Sequence, residues 1–403
     1  MGFRFLHTAD LHLDSPLRSL ALRDPDLAAL IADATRACLR AIIDLALTER
    51  VDAVLIAGDL YDGGQTSMKT ARHLAAELAR LNGAGIRCFI IRGNHDAESA
   101  ITRELTLPPL THVFTGHAGT ELLDLPPRPV AIHGLSFRDR HAPDSLLPKY
   151  RAPVADALNI GLMHTSLGGA EGHDNYAPCA LSDLQASGFD YWALGHIHKR
   201  AEYPGRTHVV MPGIPQGRAI DEPGAGTVTL GHVDDAGALH TQTRVVALAE
   251  FARVSLAIDG LEDWDALLGA IQKTLDAARG AAPHLVARLV LTGDGPLAAR
   301  LARDADLALA EAQEQARGLG HVWVEKLELR LHPRPPRAGA LGELAAIIAR
   351  DIQPSHDYEQ TLNEIEQAVT RALPTELRRM FDPPSKAERD RALAEVLARL
   401  EQG

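Results

Sequence analysis

The chain has 403 residues, 46% of them hydrophobic, and its 41 Lys and Arg against 53 Asp and Glu leave a net charge of −12. This composition excludes global disorder, and the length predicts two or three globular domains. The acidic balance argues against tight, unaided binding to nucleic acid, although bound cations, a local basic patch or a basic partner would reverse the charge where a substrate lies.

The amino-terminal sequence and the cysteines indicate the compartment. The opening MGFRFLHTADLHL has no basic segment followed by an apolar run, and no stretch of the chain approaches the roughly 18 apolar residues of a membrane span. The three cysteines are an odd number without a CxxC pair, which is typical of reduced thiols. We therefore expect a cytoplasmic protein with no membrane partner.

The first part of the chain alternates short apolar runs with helical patterns, which is typical of an α/β domain. Strands are predicted over 3–8, 53–57, 87–91, 130–133, 159–163 and 191–194, and helices over 27–47 and 68–81. From 206 to 247, short Val and Thr segments separated by Gly-rich turns predict antiparallel hairpins. We expect this domain to cover residues 1–250.

The remainder of the chain predicts a smaller domain and a helical tail. Strands over 252–258, 284–291 and 322–331 alternate with helices over 264–278 and 296–316, so residues 251–332 are expected to form a small α/β domain. The proline-rich segment HPRPPR at 332–337 ends this pattern. Only helical patterns follow, over 341–351, 358–373 and 386–400, within an expected helical region at 338–403.

Potential metal ligands follow five of the predicted strands of the first domain. In chain order, the side chains are Asp10 and His12, Asp59, Asn94 and His95, His164, and His196 and His198. Because ligands in open α/β sheets gather at the carboxyl ends of the strands, these segments predict one shared site. In extended backbone, the spacing of two residues places both side chains of each Asp-x-His and His-x-His pair on the same side.

The set combines carboxylate, amide and imidazole ligands and contains no thiolate. Mixed nitrogen and oxygen ligation suits Mn²⁺, Fe²⁺ or Zn²⁺ better than Mg²⁺ or Ca²⁺. Seven such ligands are too many for one ion, and they suit two ions about 3.5–4 Å apart that share a bridging carboxylate. We therefore predict a centre for two divalent cations, with Mn²⁺ preferred.

Five motifs in this order resemble those of the calcineurin-like metallophosphoesterase superfamily. The motifs are Asp10-Leu-His12, GDLYD at 58–62, GNHD at 93–96, MHT at 163–165 and GHIH at 195–198. Within this superfamily, HTADLHLDSPL and NYAPCALSDLQASGFDYWALGHIHKR resemble the bacterial DNA-repair exonucleases of the SbcD and YhaO type. The resemblance implies a four-layer αββα sandwich, a small α/β capping domain and a helical tail.

The resemblance also assigns roles to the motif residues. It implies that one metal is held by Asp10, His12 and His198, the other by Asn94, His164 and His196, and that Asp59 bridges them. His95 is expected to face the scissile phosphate as the catalytic imidazole, and Asp96 to orient or charge it. Asp62 is expected to orient the metal site through hydrogen bonds.

The expected function is that of a two-metal phosphodiesterase that cuts DNA, in which a metal-activated hydroxide attacks phosphorus with the help of His95. Lys199, Arg200 and Arg218 are possible substrate contacts, although Ile214 replaces the Asn expected in the segment that contains Arg218. Two alternatives remain open: a phosphomonoesterase or small-molecule phosphodiesterase, and a DNA-end tether that serves an SbcC-like ATPase.

The carboxyl-terminal helices resemble, in position, the segment by which SbcD-type nucleases dock on the coiled-coil base of an SbcC-type ATPase. In LPTELRRMF at 373–381, apolar Leu377, Met380 and Phe381 lie beside two arginines, a pattern that suits docking on a partner helix. Packing against the chain's own domain is the alternative. A coiled-coil ATPase of the SbcC or YhaN type is thus a possible partner, and a homodimer is implied by the resemblance alone.

Overall fold

The computed structural model of the chain describes residues 2–15, 25–63, 67–98, 106–126, 128–168, 176–295, 297–331 and 340–372, and single positions at 385, 389, 392–393 and 396. The chain divides into two compact units. The first comprises Met1–Ala252 and Arg279–Val286, and the second comprises Arg253–Ala278 and Ala287–Gly403.

The first unit contains twelve described strands and three α-helices. The strands are β1 Phe3–Thr8, β2 Ala53–Ala57, β3 Arg87–Ile91, β4 Thr111–Val113, β5 Gly119–Leu123, β6 Val130–Gly134, β7 Leu158–His164, β8 Tyr191–Gly195, β9 Ala201–Tyr203, β10 His208–Met211, β11 Thr227–Val233 and β12 Leu239–Val245. The helices are α1 Pro25–Glu49, α2 Met68–Gly83 and α3 Leu181–Ala186.

These strands form two six-stranded sheets, ordered β12-β11-β1-β2-β3-β4 and β5-β6-β7-β8-β10-β9. In the first sheet β1 to β4 are parallel, and in the second β6, β7, β8 and β10 are parallel. Antiparallel strands border both parallel blocks. The predicted hairpins after residue 206 are therefore divided between the two sheets: β10 extends one, and β11 and β12 extend the other.

Apolar side chains arrange these elements in four layers. Phe5, Leu55 and Phe89 of the first sheet share one buried cluster with Ile160 and Tyr191 of the second, so the sheets pack face to face. The outer face of the first sheet buries one side of α1 and α2. The outer face of the second packs on the short helix α3. The α/β fold class and its αββα sandwich are confirmed.

The strand register brings the carboxyl ends of the parallel strands to one edge. Thr8, the last residue of β1, pairs with Ile56, and Ala57 pairs with Ile91 at the end of β3. In the second sheet the last residue of β7, His164, pairs with the last residue of β8. The motif residues that follow these strands therefore start from aligned positions.

The second unit is built around a three-stranded sheet, ordered β13-β14-β15. Its elements are β13 Ala249–Ala257, α4 Trp264–Ala277, β14 His284–Gly293, α5 Ala298–Arg303, α6 Ala305–Leu319, β15 Val322–Leu331, α7 Ala340–Ile347, a π-helical turn Ile348–Ile352 and α8 His356–Ala372. The single helix predicted over 296–316 is two helices, because Asp304 leaves the helical conformation at φ −108° and ψ 38°.

Several predicted features fall outside the described residues. These are the proline-rich segment at 332–337, the LPTELRRMF segment at 373–381 and most of the helix predicted over 386–400. Among the helices in the described ranges, none has an apolar stretch long enough to cross a membrane.

Candidate metal centre

The backbone turns sharply just after the strands that carry the motifs. Asp10, Asp59 and His196 have φ values of 53°, 53° and 102°, in the left-handed region that side-chain-bearing residues rarely adopt. Such conformations cost about 1–3 kcal/mol each and persist where surrounding contacts enforce them, often at functional sites. Here the Asp10 carboxylate accepts hydrogen bonds of 3.0 and 3.1 Å from the backbone N–H of His196.

Two glycines allow the motif loops to pack closely. A Cβ atom on Gly93 would lie 2.1 Å from Oδ1 of Asp59 and 2.8 Å from its backbone nitrogen. A Cβ atom on Gly58 would lie 2.5 Å from Nδ1 of His164. A side chain at either position would displace a proposed metal ligand.

Asp10, His12 and His198 form one group of potential ligands, with donor atoms that all lie within 4.8 Å of one another. The Nε2 atoms of the two imidazoles are 3.2 Å apart. Nδ1 of His198 lies 2.7 Å from Oε1 of Glu222 and donates its proton to that carboxylate. In the neutral ring, Nε2 of His198 is therefore the unprotonated nitrogen and faces His12.

Asp10, Asp59 and His164 form a second group with donor atoms within 4.8 Å. Nδ1 of His164 donates to the carbonyl of Ala57 at 2.9 Å, which leaves Nε2 as the unprotonated nitrogen of the neutral ring. This Nε2 lies 3.0 Å from Oδ1 of Asn94 and 3.4 Å from Oδ2 of Asp59. The ring of His196 borders the same group, with its centroid 5.2 Å from that of His164.

The donor set fits divalent cations. Lone pairs on an imidazole nitrogen, an amide oxygen and a carboxylate oxygen converge at His164, an arrangement that repels itself unless a positive charge lies between the atoms. Burial lowers the pKa of His164, but the charge of Asp59 and its hydrogen bond outweigh it and raise the pKa to about 9. Without a cation, a proton would take that position. The nitrogen and oxygen donors suit Mn²⁺, Fe²⁺ or Zn²⁺.

His95 lies at the open side of these groups. Its side chain is 30% exposed, whereas those of His12 and His164 are 1% and 0% exposed. The His95 ring packs edge-on against His12, with centroids 5.1 Å apart. Its Nδ1 atom lies 3.4 Å from Oδ1 of Asp62. His95 is thus the imidazole of the site that a substrate can reach.

Asp96 occupies a different position from the expected one. We expected it to orient the imidazole of His95, but its carboxylate accepts hydrogen bonds from the backbone N–H groups of Leu60, Tyr61 and Gly93, at 3.1, 3.1 and 3.0 Å. This corrects the sequence-based interpretation. The carboxylate is buried and ties together the two loops that follow β2 and β3, because those loops expose backbone donors that need an acceptor.

The three cationic side chains that we considered as substrate contacts differ in their environments. Lys199 is exposed and lines a cleft of about 660 Å³ next to His198. The guanidinium of Arg200 donates to Thr229 and Glu202, at 2.7 Å each. Arg218 donates to Glu222 through its backbone N–H and Nη2, both at 2.7 Å.

Sequence reasoning missed Glu222, which contacts both a proposed ligand and an arginine. Its carboxylate is 14% exposed and lies in the connection between β10 and β11. The signal available in the sequence was the spacing of four between Arg218 and Glu222, shortly after the last metal motif. That spacing is too common to single out a residue without the structure.

Two family models match the chain. The model described as "Calcineurin-like phosphoesterase" matches residues 3–200. The model described as "Metallophosphoesterase YhaO, middle domain" matches residues 251–332. The first match includes all seven proposed metal ligands.

Curated relatives resemble the chain to different extents. It is 34% identical over 298 residues to the "Uncharacterized metallophosphoesterase YhaO" of Bacillus subtilis, with 72% of each chain covered. It is 26% identical to the "DNA double-strand break repair protein Mre11" of Methanocaldococcus jannaschii, with 49% of this chain and 51% of the relative covered. It is 25% identical to SbcD of the nuclease SbcCD of Escherichia coli K12, with 55% and 62% covered. The chain therefore spans less than two thirds of these two DNA-related relatives.

Proposed function

The chain belongs to the calcineurin-like metallophosphoesterase family, and on this premise we propose that it is a two-metal phosphodiesterase that cuts DNA. The observation that supports this most is the convergence of two ligand groups at one sheet edge, with the accessible imidazole of His95 beside them. Such a site combines positions for cations with an acid that a substrate can reach.

We assign the metal ligands in two sets. Asp10, His12 and His198 would hold one cation, Asn94, His164 and His196 the other, and Asp59 would bridge them. Two divalent cations supply Lewis acidity and a water activated for attack on phosphorus. Mn²⁺ is our first choice because the ligands mix imidazole nitrogen with carboxylate and amide oxygen, and Fe²⁺ and Zn²⁺ share this preference.

The protein's own residues then orient the substrate and move a proton. The His95 imidazole, held by Asp62, would stabilise the charge that develops on the phosphate oxygens and protonate the leaving oxygen. Asp96 keeps the loops of Asp59 and Asn94 in place through backbone hydrogen bonds. Lys199, exposed beside the site, would contact the substrate backbone.

Two relatives support DNA as the substrate. Their descriptions, as part of a nuclease and as a DNA double-strand break repair protein, both refer to work on nucleic acid. The test is a time course with Mn²⁺ on end-labelled linear duplex DNA, with a His95→Ala variant as the control against contaminating nuclease. Degradation by the wild type alone would establish the nuclease and show its polarity.

One observation favours the alternative of a small phosphoester substrate. The chain carries a net charge of −12, and the guanidinium groups of Arg200 and Arg218 are engaged by Glu202 and Glu222. Few free cations therefore remain near the site, among the described residues, to bind a polyanion. Faster turnover of p-nitrophenyl phosphate or bis(p-nitrophenyl) phosphate than of DNA, at equal enzyme and Mn²⁺, would favour this alternative.

We propose a coiled-coil ATPase as the partner that supplies the missing DNA affinity. In α8, Ile365 and Val369 are 54% and 40% exposed and lie four residues apart on one face of the helix. Such a pair suits docking against a partner helix. Ile365→Glu with Val369→Glu should abolish capture of the cognate ATPase in a pull-down, whereas Thr370→Glu should not. Equal capture by all variants would exclude docking through this face.

A further inference from the structure

We infer that Glu222, held by Arg218, is the positioning residue of the metal ligand His198 and sets the affinity of the cation site that His198 shares with Asp10 and His12. The inference rests on the proposed metal centre. It assigns a task to Glu222, and it gives Arg218 a task other than substrate contact.

The geometry around Glu222 is that of a fixed hydrogen-bond acceptor. Its Oε1 lies 2.7 Å from Nδ1 of His198 and 2.7 Å from Nη2 of Arg218. Its Oε2 accepts the backbone N–H of Arg218 at 2.7 Å and Nε at 3.2 Å. Both carboxylate oxygens are thus used, and rotation of the side chain would break several bonds at once.

This contact decides which nitrogen of His198 is available. A carboxylate can only accept, so Nδ1 carries the proton and Nε2 keeps its lone pair. The Nε2 atom is the one that faces His12, 3.2 Å away. A carboxylate behind a ligating histidine fixes the orientation of its ring and increases the basicity of the ligating nitrogen. Burial opposes the charge of Glu222, but its hydrogen bonds with His198 and Arg218 hold its pKa well below the usual range.

Arg218 extends the contact to the catalytic side of the site. Its Nη1 atom lies 3.4 Å from the hydroxyl of Ser15 and 3.8 Å from Oδ1 of Asp62, the carboxylate next to His95. One guanidinium therefore lies between the carboxylate that faces His198 and the carboxylate that faces His95. This placement accounts for its charge without a substrate.

The same fold offers a matched control. Glu202 lies 2.8 Å from Nε2 of His208 and 2.7 Å from Nη2 of Arg200, so it forms the same trio of histidine, glutamate and arginine. His208 belongs to neither ligand group. Replacing Glu202 should therefore disturb a similar network without changing metal affinity.

The test is a titration of the metal-free full-length protein with Mn²⁺, in which electron paramagnetic resonance measures the free ion. The wild type should bind two equivalents. Glu222→Ala should retain one equivalent at wild-type affinity and weaken the other about 10- to 100-fold. Glu222→Gln, whose amide oxygen still accepts from Nδ1, should lose less, and Glu202→Ala should bind both equivalents as the wild type does.

Several outcomes would overturn the inference. Two equivalents of wild-type affinity in Glu222→Ala, or the same weakening in Glu202→Ala, would show that Glu222 does not position the ligand. If Glu222→Ala does not fold, Glu222→Asp takes its place, because it keeps the charge beside Arg218 but withdraws it from Nδ1 of His198. Wild-type affinity in that variant would likewise be contrary. A wild type that binds no Mn²⁺ would instead overturn the metal centre itself.

Discussion

The carboxylate of Asp62 lies beside the imidazole of His95, with Oδ1 3.4 Å from Nδ1. Asp62 also accepts a hydrogen bond of 2.7 Å from the hydroxyl of Ser15, which limits the rotation of the carboxylate. A fixed anion next to an imidazole stabilises its protonated form and directs its other nitrogen outwards. The pair therefore has the arrangement of an acid and its orienting partner, although the two residues are far apart in the sequence.

His95→Ala should remove most activity and leave metal binding nearly intact, because His95 belongs to neither proposed ligand set. We expect a fall of about 10²- to 10⁴-fold in kcat with bis(p-nitrophenyl) phosphate, the usual contribution of one general acid. Asp62→Asn, which removes the charge but keeps the shape, should lower kcat by less. Parallel loss of Mn²⁺ and activity in His95→Ala would show that His95 is a ligand.

Asp96→Ala should act on stability. The substitution leaves three buried backbone N–H groups without their acceptor, which should cost roughly 3 kcal/mol of unfolding free energy. Urea unfolding of the metal-free protein would measure it. The exposed Asp124→Ala is the control, expected within about 0.5 kcal/mol of the wild type. An Asp96→Ala protein of wild-type stability would contradict the role as a loop tie.

Gly93→Ala should damage the metal centre through sterics alone. The added methyl group would lie 2.1 Å from Oδ1 of Asp59 and 2.8 Å from its backbone nitrogen, so no side-chain rotation relieves both contacts. We expect a stability loss of about 1–3 kcal/mol and weaker Mn²⁺ binding. Gly83→Ala, where a Cβ atom meets nothing within 4 Å at the end of α2, should be neutral or stabilising. Equal metal affinity in both variants would refute this prediction.

His7 should make the fold sensitive to acid. Its Nε2 donates to the carbonyl of Leu194 at 3.0 Å, so Nδ1, 2.9 Å from the hydroxyl of Tyr191, is the acceptor of the neutral ring. Burial lowers the pKa of His7 from 6.5 to about 3, although the Leu194 hydrogen bond opposes the shift. Because the unfolded chain binds the proton more readily, the stability that neutral His7 supports is present above pH 6.5 and declines as the pH falls towards 3.

A comparison with His7→Gln isolates this effect from the protonation of metal ligands, which both proteins share. Between pH 7.5 and pH 5 the wild type should lose about 2 kcal/mol more unfolding free energy than the variant. Urea titrations at the two pH values measure the difference. Equal losses in both proteins would mean that His7 is not held neutral by burial.

Removal of divalent cations should lower the melting temperature. Cations that bind only the folded state stabilise it by mass action, by about 2.7 kcal/mol at a hundredfold excess over Kd. Scanning fluorimetry after chelation and re-addition should show a larger rise in Tm with Mn²⁺ than with Mg²⁺, since Mg²⁺ prefers oxygen ligands alone. An equal rise with both ions would argue against imidazole ligation.

The strands and the ligand positions could be predicted from the sequence because both depend on local patterns. The bounds of β1, β2 and β3 coincide with the predicted strands at 3–8, 53–57 and 87–91, since short apolar runs that are buried on both faces are characteristic of parallel strands. The short edge strands β4 and β5 were missed, because their partly exposed residues lack such a run. The break at Asp304 depends on one backbone conformation and left no signal in the helical pattern.

The sequence by itself determined that potential ligands follow five strands whose carboxyl ends share an edge, and this determined the family. Only the tertiary structure decided which carboxylate serves which imidazole: Asp62 lies beside His95 in place of Asp96, and Glu222 lies behind His198. The physical reason is that strand ends follow from periodicity, whereas side-chain partners depend on the paths of loops. Those paths include left-handed turns at Asp10 and Asp59 that no residue pattern announces, because long-range hydrogen bonds impose them.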